Sequence, residues 1–150
     1  MNAYEFLSCP RAVKARLGKV QDRIASLQAV AERATVRFGP EFDPVSHTRN
    51  PSAMQDMIIR LAEAKEEETG LKKELAEVEL EVGLVLARLQ DKEIFDFMTY
   101  RFLDCMPVRK AAFTVGYSYS WGRKAQAKGI REVQSILDHA GYSEGDETFD

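Results

Sequence analysis

Between Arg11 and Phe38 the apolar residues Val13, Leu17, Val20, Ile24, Leu27, Ala31, Ala34 and Phe38 recur at alternating spacings of four and three. Lys14, Arg16, Lys19, Asp22, Arg23, Glu32 and Arg33 fill the positions between them. The period is helical, and the stripe is the narrow a/d seam of a coiled coil. Pro10 suits a first helical turn and Gly39-Pro40 a stop, so the pattern predicts a helix over about 10–38. Residues 39–50, GPEFDPVSHTRN, have the composition of a loop. Asn50 then reads as an N-cap with Pro51 in the first turn, opening a second helix over about 51–90. Leu61, Ala64, Leu71, Leu75, Val78, Val82, Val85 and Leu89 carry its seam, with Glu68 as the one polar residue on it. Two such stripes with a short connection favour an antiparallel hairpin, because each needs a partner. The second helix is longer by about ten residues, so the end of its seam must meet another chain or the C-terminal helices.

Gln90-Asp91 offers a new cap, and Ile94, Phe95, Phe97, Met98, Phe102 and Leu103 follow at helical spacing to about Cys105. So many aromatics in one short helix place it at the centre of a small core. Another helix is predicted from Pro107 to Gly116 and a last one from Ser118 to His139. The fold class is therefore all-α: a long antiparallel two-helix coiled coil over 1–90, a small helical domain over 91–140, and an acidic, disordered tail over 141–150.

A chain of 150 residues with 45% hydrophobic and 30% charged residues has room for one small core and an arm. No window of about eighteen residues lacks charge, and the start, Met1-Asn2-Ala3-Tyr4-Glu5, lacks the pattern of a secretory signal. A cytoplasmic protein without membrane contact is expected. Cys9 and Cys105 are far apart with no neighbouring ligands, so reduced structural thiols are expected and neither metal nor cofactor is. Glu66, Glu67, Glu68, Glu74, Glu77, Glu79 and Glu81 share helix faces, but Lys65, Lys72 and Lys73 interleave with them, which is a solvated coiled-coil surface. Seven Lys/Arg against two Asp/Glu over residues 11–37 complement it. His47 and His139 have no partners in sequence, and no phosphate loop or nucleophile set occurs, so an enzyme is not expected.

Residues 108–127, VRKAAFTVGYSYSWGRKAQA, carry the most informative pattern. A helix-turn-helix needs a small residue where its helices cross and a turn residue that tolerates a left-handed backbone, and it needs apolar residues facing inward. Ala112 and Gly116 meet the first two needs; Val108, Ala111, Val115 and Ala125 fit the inward positions, and Ser118 can cap the second helix. In this register Ser118, Tyr119, Ser120, Arg123, Lys124, Ala127 and Lys128 form a DNA-binding surface, with Gln126 at its flank. Arg can read guanine, Ser and Tyr can bond phosphates or base edges, and Lys adds affinity through counterion release. Residues 96–138 hold seven Lys/Arg against four Asp/Glu, a basic region in a chain of net charge -3. Tyr117 and Trp121 are expected to pack on the aromatic helix. Gly122 falls where such motifs hold Val or Ile in the core.

The order of elements and the run from Tyr100-Arg101-Phe102 through Ala111-Ala112 and Val115-Gly116-Tyr117-Ser118 to Arg123-Lys124-Ala125 resemble phage- and prophage-encoded regulators of the ArpU and RinA types. These have an N-terminal coiled coil and a C-terminal domain similar to region 4 of sigma-70 factors. This chain departs from their pattern at Arg109-Lys110, where an acidic residue is usual, and at Gly122, where a β-branched one is. The resemblance implies a phage-type transcription regulator that binds duplex DNA, with the coiled coil forming a homo-oligomer or meeting RNA polymerase. A small terminase subunit for DNA packaging shares the same parts. A protein-interaction adaptor or an inhibitor of a host protein, without DNA binding, is the reading from a different class.

Overall fold

The structure, a computed structural model, describes residues 2–37 and 51–140. The expected loop at 39–50, with His47, and the acidic tail at 141–150 lie outside the described residues, as do the side chains of Ala34 and Phe38 on the first seam. The described residues form five α-helices and one π-helical segment, with no strand among them: α1 (Ala3–Arg37), α2 (Pro51–Leu86), α3 (Lys92–Met98), the π-helix Thr99–Leu103, α4 (Val108–Val115) and α5 (Tyr119–His139). They divide into two compact units.

The first unit takes the described residues up to Val13 and those from Leu75 onward. The helix expected from Pro10 begins earlier, at Ala3. Asn2 starts it: its side chain accepts from the Tyr4 N–H at 2.7 Å and its carbonyl from the Phe6 N–H at 3.0 Å. Pro10 thus lies inside the helix, where its missing N–H and its ring cost about 3 kcal/mol in an ordinary interior position. The cost is offset by burial, because Ala3, Phe6, Leu7 and Pro10 are all inside this unit's core. The first residue of α1 is also tied to the last helix, since the Ala3 N–H donates to Gln134 Oε1 at 2.8 Å.

The C-terminal part of α2's seam enters the same core through Val82, Val85, Leu86 and Leu89, so the C-terminal helices cover it. α2 stops at Leu86, four residues short of the expected end at Gln90. Arg88 and Leu89 bond back three residues to Val85 and Leu86, a tightened last turn. Asp91 then caps α3, accepting from the N–H groups of Glu93 and Ile94. Phe97 and Met98 are fully buried, as the aromatic run implied. The single helix expected up to Cys105 widens instead into the π-helix, closed by Asp104 N–H to Thr99 O at 3.1 Å. Thr99 Oγ1 donates to the Phe95 carbonyl at 2.8 Å, a back-bond that loosens the ladder at this point. Cys105 ends the segment in the left-handed region, φ 57°.

The second unit, Lys14–Glu74, holds the facing parts of α1 and α2. Leu17, Val20 and Ile24 on α1 and Ala64 and Leu71 on α2 are buried. Arg16 pairs with Glu74, Gln21 with Glu68 at 3.2 Å and Arg23 with Glu67 at 3.3 Å. Partner numbers fall along α2 as they rise along α1, so the two run antiparallel. Glu68, the polar residue on the seam, is satisfied by the Gln21 amide and by Lys72 Nζ at 3.6 Å.

Candidate nucleic-acid interface

α4, the turn Gly116–Ser118 and α5 are built by small residues at small distances. Gly116 has φ 105°, which only glycine adopts freely, and its N–H and that of Tyr117 close the end of α4 on the Ala112 carbonyl at 3.1 and 2.9 Å. Ser118 is extended and its Oγ accepts from the Trp121 N–H at 3.2 Å, the cap that starts α5. Gly122 is buried against α4, and a Cβ there would sit 2.7 Å from the Ala112 Cβ and 3.2 Å from Val108 Cγ1. The expected Val or Ile is replaced by glycine because the two helices touch at this point. About two turns further on, Gly129 does the same for α3, where a Cβ would lie 2.6 Å from Met98 Sδ. Gly122, Ala125, Gly129, Val133 and Leu137 form the buried stripe of α5.

An aromatic stack fixes the start of α5. Trp121 meets the Phe97 ring edge-on at 5.7 Å and stacks on Tyr117 at 4.2 Å. The Tyr117 hydroxyl donates to Glu93 at the start of α3. This bond to a carboxylate, then the loss of water around the phenol, then the charges of Glu93 and Asp91, hold the Tyr117 hydroxyl above its ordinary value near 10.

With its inner side so occupied, α5 turns the opposite side outward. All seven expected DNA-binding residues, Ser118, Tyr119, Ser120, Arg123, Lys124, Ala127 and Lys128, are exposed. At 100° per residue Ser120, Arg123, Lys124, Ala127 and Lys128 share an arc about 140° wide. Arg131, also exposed, falls in the middle of that arc and was not among the expected residues. The sequence did carry a signal for it: from Cys105 to Arg131 there are six Lys/Arg and no Asp or Glu. Among the described residues none of Arg109, Lys110, Arg123, Lys124, Lys128 and Arg131 is in an ion pair.

Tyr119 organises two of these charges. Its ring lies under the Arg109 guanidinium at 4.6 Å and the Arg123 guanidinium at 5.9 Å, so one aromatic side chain holds a cation from α4 and a cation from α5. Arg101, by contrast, is structural in part: its Nε donates to Gln126 Oε1 at 2.8 Å and its Nη1 to the Met106 carbonyl at 3.2 Å. Gln126 is thereby committed to the fold and removed from the outer face.

Among the described residues no three His, Cys, Asp or Glu side chains come together as a metal site, and no helix is long and apolar enough to cross a membrane. In comparisons with known proteins, no protein family, no curated protein and no solved structure matches this chain.

Proposed function

We propose that this chain is a DNA-binding regulator in which α4 and α5 act as a helix-turn-helix and α5 enters the major groove of duplex DNA. The observation that carries the reading is the outward face of α5, where Arg123, Lys124, Lys128 and Arg131 stand exposed with no ion-pair partner among the described residues. Like charges gathered without counter-ions are costly in the free protein and are stabilised by a polyanion. The roles follow from position. Ser118, Tyr119 and Ser120 at the start of α5 supply hydroxyls for phosphates or base edges, and Arg123 and Lys124 reach the groove floor. Ala127 keeps the centre of the face low enough for close approach and can touch a thymine methyl. Lys128 and Arg131 hold flanking phosphates. The paired stretches of α1 and α2 suit the partner contacts of a regulator, either with a second copy or with RNA polymerase.

Fluorescence anisotropy of a labelled mixed-sequence duplex, titrated with the full chain at low and moderate salt, tests this. Binding that weakens with salt and falls at least tenfold in Arg123→Ala/Lys124→Ala is expected. No binding by the unaltered chain at low salt refutes it.

A second reading, a protein-interaction adaptor, has its own observation. Phe113 on α4 is 82% exposed, and Leu80 and Leu84 on α2 are 64% and 63% exposed, which are large apolar side chains left in water. Light scattering on the same sample separates a dimeric regulator from a packaging ring of eight to ten copies, since the ring has several times the mass.

A further inference from the structure

Beside the first turn of α4 the first unit has an open groove of about 390 Å³, and its charged lining is three arginines from three different elements: Arg11 of α1, Arg101 of the π-helix and Arg109 of α4. Tyr119 forms part of the wall, and no carboxylate belongs to the lining. Among the described residues none of the three arginines is in an ion pair. Two of them are held in place. Arg109 lies over the Tyr119 ring, and Arg101 is anchored through Nε and Nη1, which leaves its Nη2 without a protein acceptor among the described residues. Such an arrangement loses little side-chain entropy on binding an anion, because the guanidinium planes are already oriented. A planar donor fork matches two oxygens of one tetrahedral anion.

We infer that this groove is a phosphate-binding site, in which Arg11, Arg101 and Arg109 grip the oxygens of one phosphate group and the Tyr119 ring positions Arg109. The site adjoins the proposed base-reading face of α5 through Tyr119, but phosphate binding there does not depend on the duplex reading. Its phosphate comes either from a nucleic-acid backbone lying across the starts of α4 and α5 or from a free phosphate compound.

The test uses the full chain with its arginine Nε–Hε groups observed by NMR. Inorganic phosphate is titrated against sodium chloride at matched ionic strength. Saturable shifts of the Arg101 and Arg109 signals that phosphate causes and chloride does not are expected, as is loss of the Arg101 shift in Arg11→Ala/Arg109→Ala, whose two altered side chains are exposed. The same variant in the duplex titration identifies the source. A salt slope reduced by about 1 assigns the groove to the nucleic-acid backbone, and an unchanged slope assigns it to a free phosphate compound. Absence of phosphate-specific shifts, or an Arg101 shift that survives in the double variant, overturns the inference whatever the duplex arm gives. A chain that fails to bind duplex but shows the shifts refutes the DNA reading and leaves the groove standing.

Discussion

Gly122 shows how closely a single atom can be specified. Adding one carbon forces overlap with Ala112, a contact between two helix backbones where neither side chain can rotate away. Gly122→Ala gains about 1 kcal/mol of helix propensity and meets an overpacking cost of about 1–3 kcal/mol, so a net loss of stability is expected. Gly70 on α2 is exposed with nothing within 4 Å of a Cβ, and Gly70→Ala should stabilise by about 0.5–1 kcal/mol. Urea denaturation of the two variants checks both signs, and a stabilised Gly122→Ala would mean that the helices do not touch there. Tyr117 gives a pH signature. Its folded value is raised, so the hydrogen bond to Glu93 contributes stability below the unfolded value near 10, and that contribution is lost as pH rises through the higher folded value. In NMR titration of ring-labelled tyrosine the Tyr117 signal should move above pH 10 and return toward it in Glu93→Gln; a signal indifferent to the change would break the link. Sequence reasoning placed Trp121 on the aromatic helix, where it meets Phe97; Tyr117, expected in the same core, is exposed instead, stacking on Trp121 and reaching that helix through its hydroxyl and Glu93. The same reasoning took Gly122 as a missing side chain, because propensity scales and spacing hold no information about the distance to a neighbouring helix.

Elements with a strong period were the legible ones. The four-three alternation identified α1 and α2, and most of the named seam positions are buried or half-buried. Caps at Asp91 and Ser118 and the left-handed turn at Gly116 were also readable, because each depends on a residue type with one dominant local use. The start of α1 was not. Proline commonly opens helices, and here it sits inside one, held by tertiary burial that no local signal reveals. The first turns of α1 are correspondingly important: Leu7 is fully buried, and Leu7→Ala should cost about 2–5 kcal/mol, read from thermal or urea unfolding of the full chain. A cost under about 1 kcal/mol would show that this segment does not belong to the core. The π-helix was equally hidden, since it arises from a back-bond at Thr99 and a left-handed Cys105 rather than from any change in hydrophobic period.

For the molecule as a whole, charge is divided unevenly. The chain is acidic overall at -3, yet the stretch from Cys105 to Arg131 has only basic charges. A ligand polyanion is therefore attracted locally and repelled by the remainder, which makes binding steep in salt. With four to six phosphate contacts, the logarithm of the duplex binding constant should fall with the logarithm of salt at a slope of about -4 to -5. A slope near zero in the anisotropy titration would mean that the exposed basic face is not the contact surface. The face itself was legible from composition and helical phase. The arginine groove was not, because Arg11 and Arg109 meet only once the first helix has docked on the C-terminal ones.

That docking has a consequence for the order of events during synthesis. The Ala3 amide bonds Gln134, 131 positions later, and Leu7 shares a core with Leu137. At about 5–20 residues per second, the first turns leave the ribosome on the order of ten seconds before their partners exist. For that interval Phe6 and Leu7 are apolar and uncovered, while the antiparallel stretches of α1 and α2 can already pair. The nascent protein therefore completes its arm first and its basic domain last, and it acquires the surface proposed to meet nucleic acid only as its final helix emerges.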